Sequence, residues 1–143
     1  MLDEVDNKLI QALSDDSRIS WVQLSEKIHL SASACQRRVD ALREQGVITG
    51  FTLKTDLKKT GLTIQAFIQI KVERQHIERA EKFRRSIATY PEVLSAYKLS
   101  GHVDYLAHVA VEDIDALSVF IDRKLLSLEG VVDANSAIVL DVL

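Results

Sequence analysis

At 143 residues, 47% hydrophobic and 27% charged, the chain has room for one ordinary domain or two small ones and the composition of a soluble folded protein. A net charge of −3 excludes a uniformly basic nucleic-acid binder, and a single cysteine, Cys35, excludes an internal disulfide. The amino terminus opens on an acidic amphipathic pattern rather than a leader, and no apolar run approaches the ~20 residues of a membrane span, which points to the cytoplasm and no membrane.

In chain order, Leu2 to Leu13 predicts a helix with Val5, Leu9, Ile10 and Leu13 inward. Ser20, with Gln23 three residues on, predicts a capping box opening a second helix that turns Val22, Leu24 and Ile28 to one side. Ser31 caps a third, in which Cys35, Val39 and Leu42 fall at i, i+4 and i+7, and Gly46 stops it. On that stripe Cys35 is a small core residue, because a buried thiol without a basic neighbour is inert. Winding the third helix at 100° per residue puts Ser33, Arg37 and Asp40 at the centre of its outer face, with Gln36 beside them and Arg38 and Arg43 on the flanks. Two short helices with the basic residues on the second are a helix-turn-helix pattern: such a surface donates to base edges and phosphates in a major groove.

The alternating piece from Val47 to Lys54 predicts a strand leading away from the helices, and the polar loop after it marks a boundary. Three segments result: a helix-turn-helix domain over 1–48, a strand and linker over 49–62, and a second domain over 63–143. There, Ile64, Ala66, Ile68, Ile70 and Val72 alternate with polar residues and Phe67, a strong strand. A helix follows from His76 to Tyr90 with Ile77, Ala80, Phe83 (or Arg84) and Ile87 inward, closed by Pro91. Two strands then meet at a tight turn around Gly101. A helix opening at Asp113, with Ile114, Leu117, Ile121, Leu125 and Leu128 inward, ends at Gly130, and the chain closes on a last strand. The order βαββαβ predicts a four-stranded antiparallel sheet with both helices on one face, a ferredoxin-like α/β sandwich. Its other face, carrying Phe67, is left for a partner subunit.

The charge is uneven. Residues 1–62 hold nine basic and nine acidic residues and 63–143 hold nine and twelve, so the first half nets zero and the second −3. A neutral module with local arginines grips phosphate weakly, and duplication in a homodimer or larger assembly compensates. The histidines are scattered without metal-ligand spacing, and there is no P-loop, dinucleotide glycine motif or nucleophile elbow, so neither a metal nor a cofactor is expected.

The run from Leu2 to Thr52 resembles the amino-terminal half of the Lrp/AsnC (feast/famine) transcriptional regulators, through Leu2, Asp3, Asp6, Leu13, Asp16, Arg18, Leu24, Leu30, Ser31, Arg38, Leu42, Gly46, Val47, Ile48 and Gly50. The run Ser100-Gly101-His102-Val103-Asp104-Tyr105 resembles that family's glycine-containing hairpin. One departure is His29, where the family usually has a glycine; the turn needs a left-handed backbone that histidine tolerates better than most. The resemblance implies an α+β chain: a three-helix, winged-helix-like DNA-binding domain and a ferredoxin-like domain that dimerises sheet on sheet, assembles toward octamers and binds an amino acid between subunits. It implies double-stranded DNA as partner, contacted by Ser31, Ser33, Gln36, Arg37, Arg38 and Arg43. The effector would be held by Ser100, Gly101, His102, Val103, Asp104 and Tyr105 with Ala134 and Ser136 on the last strand, where the family often has threonines. A less polar pocket leans toward leucine or methionine over asparagine or lysine. Two alternatives stay open: a haem-pathway decarboxylase of similar architecture using His102 and His108, and a ligand-sensing module that has lost DNA binding, suggested by Asp40 on the reading face.

Overall fold

The computed structural model describes residues 2–73 and 77–143. The chain divides between Lys54 and Thr55 into two compact units.

In the first unit, α1 spans Glu4–Asp15, α2 Trp21–Ile28 and α3 Ala32–Glu44. Each start is chemically set. Asp3 accepts from the Asp6 amide at 2.7 Å while Asp6 accepts back from the Asp3 amide, and Ser20 and Gln23 form the same reciprocal box on α2. The α2–α3 turn passes through His29 at φ 61°, ψ 41°, the left-handed conformation expected where the family has glycine. Leu9, Ala12, Leu13, Leu24, Cys35 and Val39 form one buried core, with Val5, Ile28 and Ile48 packed on it. Val22 does not join it and is 62% exposed: the first turn of α2 projects past the small core, and the stripe narrows to Leu24 and Ile28.

The strand expected from Val47 to Lys54 is absent as a strand. Val47 and Ile48 close the end of α3 through amides that donate to the Leu42 carbonyl, and 49–56 is irregular. A strand needs a ladder partner, and among the described residues this segment has none.

The second unit holds β1 (Ile64–Val72), α4 (Ile77–Ile87), β2 (Val93–Lys98), β3 (Tyr105–Val111), α5 (Ile114–Val119) and β4 (Val131–Ile138). The strands form one antiparallel sheet in the order β2-β3-β1-β4. Period-two alternation sends Ala66, Ile68 and Ile70 to one face at 0% exposure, opposite Val109, Ala107 and Tyr105 of β3. Phe83 and Ile87 of α4, with Leu117, Phe120 and Leu125, cover that face.

Two helix readings are corrected. Ile77 is 76% exposed and only Phe83 and Ile87 of α4 are fully buried, which settles the choice at 83/84 in favour of Phe83; His76, where the helix was expected to begin, lies outside the described residues. After α5 the helix widens to a π-helical segment, Phe120–Leu125, with the Leu126 amide donating to the Ile121 carbonyl at 2.8 Å. That wider turn brings Phe120 and Leu125, five apart, to the same side, whereas Ile114, the first residue of α5, is 52% exposed. A purely 3.6-residue reading missed Phe120.

The far face of the sheet is open, with Phe67 40% and Tyr97 56% exposed. His108 stacks on Phe67 there at 4.5 Å between ring centroids.

Candidate nucleic-acid interface and effector site

The α3 helix presents Ser33, Gln36, Arg37 and Arg43 to solvent. Ser31 is its cap, accepting from the Ala34 amide at 3.1 Å, and its hydroxyl lies 3.2 Å from that of Ser33. Arg37 makes no ion pair among the described residues, not even with Asp40 one turn on, so its fork of donors is uncommitted.

Arg38, expected on phosphates, is engaged within the chain by two carboxylates. Its Nη1 donates to Asp3 and to Asp6, each at 2.7 Å, so it ties α3 to the capping box of α1. These two hydrogen bonds raise its pKa, and the Asp6 amide followed by Arg38 holds the Asp3 carboxyl below its ordinary range. An arginine on the flank of an exposed helix face was claimed by acidic residues 32 and 35 positions earlier, a pairing that helical winding of α3 alone does not reveal.

The β2–β3 connection is a real hairpin but not a tight turn. It runs over 99–104, closed by the Leu99 amide donating to the Asp104 carbonyl at 2.9 Å, with Gly101 at φ 121°. That backbone is rarely adopted by residues with a β-carbon. Asp104 stitches the loop to β1: its amide donates to the Ile70 carbonyl and its Oδ2 accepts from the Val72 amide, both at 3.0 Å.

Beside this hairpin lies a cavity of about 450 Å³. It gathers Ser100, Gly101, Asp104 and Tyr105 with the end of β1 and the stripe Ile77, Ala80, Glu81 and Arg84 of α4. His102, Val103, Ala134 and Ser136 do not line it. Ala134 pairs with Ile70 and packs on the core, and Ser136 pairs with Ile68. Tyr105 is 5% exposed, its ring 4.8 Å from that of Phe83, so it is a core residue whose edge reaches the cavity; burial raises its phenol pKa. The α4 contribution was invisible in the sequence, where Arg84 appeared only as a competitor of Phe83 for the core.

His108 lies on the open face, its Nε2 3.0 Å from Gln65 Oε1, with a pKa lowered by burial. Among the described residues no group of three His, Cys, Asp or Glu is placed to hold a metal, and no helix is long and apolar enough to cross a membrane.

Known proteins bear directly on both surfaces. Residues 2–43 match the AsnC-type helix-turn-helix domain and residues 65–143 the Lrp/AsnC ligand binding domain. The Bkd operon transcriptional regulator of Pseudomonas aeruginosa is 32% identical over 139 residues, 97% of this chain and 91% of that protein. The leucine-responsive regulatory protein of Rhizobium meliloti is 32% identical over 91% of this chain and 83% of its own. A Neisseria meningitidis transcriptional regulator, solved as a complex with L-Met, superimposes with a TM-score of 0.91 at 37% identity, over 99% of this chain and 91% of that one. Two domain matches in the expected order, covering nearly the whole chain, place it: this protein belongs to the Lrp/AsnC family of transcriptional regulators.

Proposed function

We propose that the protein regulates transcription from the cytoplasm by docking α3 in the major groove of a specific operator, as a homodimer able to assemble toward an octamer, in response to a small amino acid. It acts without catalysis and without a cofactor. The observation that carries the DNA reading is the division of labour between adjacent arginines: Arg38 is held by Asp3 and Asp6, while Arg37 stands exposed and uncommitted among Ser33 and Gln36. Arg37 with these two addresses base edges, Arg43 addresses phosphate, and the committed hydroxyl of Ser31 orients the helix.

The supporting reason for a dimer is electrostatic and apolar together. A first segment of zero net charge needs a second copy to gather enough phosphate contacts. The open sheet face with Phe67 and Tyr97, and the unpaired arm from Val47 to Lys54 with Phe51 52% and Leu53 82% exposed, are surfaces a second copy covers. The effector, of leucine or methionine type, sits at the β2–β3 hairpin, and its differential affinity for two assembly states changes DNA binding.

Selection from random-sequence DNA identifies the operator, which two-fold symmetry makes pseudo-palindromic. On that site Arg37→Ala costs about 1–3 kcal/mol and relaxes preference at one position. Unchanged affinity and specificity in Arg37→Ala, or a ~16 kDa monomer by light scattering at micromolar concentration, contradicts the proposal.

A further inference from the structure

His29 is a strained residue whose side chain the fold does not use. At φ 61°, ψ 41° it holds the left-handed backbone that closes α2, a conformation unfavourable for a side chain with a β-carbon and one that glycine adopts freely. Its amide donates to the Ser25 carbonyl. Its imidazole is exposed and, among the described residues, makes no hydrogen bond, ion pair or ring contact. The next residue, Leu30, packs on the core and fixes the turn without the ring. Backbone strain that no contact within the chain offsets points to a use outside it.

The position supplies that use. In a docked helix-turn-helix the start of the second helix enters the major groove while the first helix crosses the backbone, so the turn between them passes the groove edge where phosphates lie. His29 is in that turn, two residues before Ser31, the cap of α3. The surroundings leave the ring open to an anion. α2 brings Glu26 and Lys27 into the same turn, and the first turn of α3 brings no acid. The acids of α1 and its ends are engaged elsewhere: Glu4 by Lys8, Asp3 and Asp6 by Arg38, Asp15 by the Gln11 side chain and Asp16 by the Arg18 amide.

We infer that His29 is a phosphate contact of the DNA-bound protein, its ring donating to a backbone oxygen at the mouth of the groove and carrying a positive charge there when protonated. This rests on the docking of α3 proposed above and adds a residue of the turn to those of the helix. Histidine is the side chain that changes charge between pH 8 and 6, and a neighbouring phosphate favours the imidazolium, so binding takes up a proton and tightens as pH falls. A phosphate contact carries no sequence information, so the effect is the same on any duplex.

The test is fluorescence-anisotropy titration of the full chain on two labelled duplexes, the selected operator and a scrambled one of equal length, at pH 8 and pH 6 over a range of salt. His29→Gly binds both duplexes about tenfold more weakly than wild type at pH 6. Its slope of log affinity against log salt is shallower by about one. The glycine relaxes the backbone, so a merely structural role predicts no loss. His29→Asn, which tolerates the left-handed backbone and donates without titrating, binds as wild type at pH 8 and lacks the tightening that wild type shows at pH 6. Arg37→Ala is measured beside them. If Arg37→Ala loses affinity while His29→Gly matches wild type in affinity, pH dependence and slope, the docking stands and the contact is overturned. If neither substitution has an effect, the docking itself is wrong. A His29→Gly loss confined to the operator makes His29 a base contact and overturns the phosphate assignment.

Discussion

Leu24→Ala is the sharpest probe of the DNA-binding unit. Leu24 is 0% exposed at the meeting of α1, α2 and α3, where Leu9, Ala12, Leu13, Cys35 and Val39 surround it. Truncating such a leucine costs ~2–5 kcal/mol, the transfer free energy of the lost methyl groups plus the cavity they leave. A unit ending at Lys54 holds only about 3–8 kcal/mol in total at ~0.05–0.15 kcal/mol per residue, so one substitution removes roughly a quarter of its stability or more. Trp21, the single tryptophan of the chain, opens α2 and reports this unit alone. With a urea slope of ~1 kcal/mol/M, the midpoint read by its fluorescence falls by about 2 M or more, or the unit is unfolded without urea. Val22→Ala, on the same helix but 62% exposed, stays within about 0.5 kcal/mol of wild type. A Leu24→Ala midpoint within 0.5 M of wild type, on the order of 0.5 kcal/mol, refutes the packing argument.

Other outcomes follow from local geometry. His29→Gly stabilises the same fluorescence transition by up to about 1 kcal/mol, because φ 61° strains a residue with a β-carbon; a destabilised variant shows that the imidazole contributes more than the strain costs. The depressed pKa of His108 means that the neutral ring is favoured in the fold, so its contribution is complete above the unfolded value near 6.5 and is lost as pH falls below it. In His108→Gln the loss of stability of the second unit between pH 7 and 5 is shallower, and an unchanged slope assigns it to other groups. The lowered pKa of Asp3 works at more acidic pH: its contribution is present above the ordinary carboxyl value of 3.8 and disappears as pH falls through the folded value. Asp3→Asn therefore destabilises the first unit at pH 7 and converges on wild type near pH 2, by Trp21 fluorescence; equal destabilisation at both pH values argues for a steric effect instead.

Local chemistry decided much of this protein from sequence. The two caps at Ser20 and Ser31, the left-handed turn at His29, and the alternation from Ile64 to Val72 depend on neighbours within a few residues, so spacing alone exposes them. The βαββαβ order likewise follows from short-range period, and it determined a sheet with one covered and one open face. Only the tertiary structure decided what distant groups claim. Arg38 went to Asp3 and Asp6 because folding brings the start of α1 beside α3, and Ile77 and Arg84 left the expected core stripe because packing turned α4 onto Phe83 and Ile87. Val47 to Lys54 has strand composition yet forms no strand, since a ladder requires a partner and composition cannot supply one. Phe120 entered the core through a π turn whose i+5 geometry no 3.6-residue pattern encodes, and Ala134 and Ser136 lie outside the cavity because strand register, set by pairing with Ile70 and Ile68, placed them there.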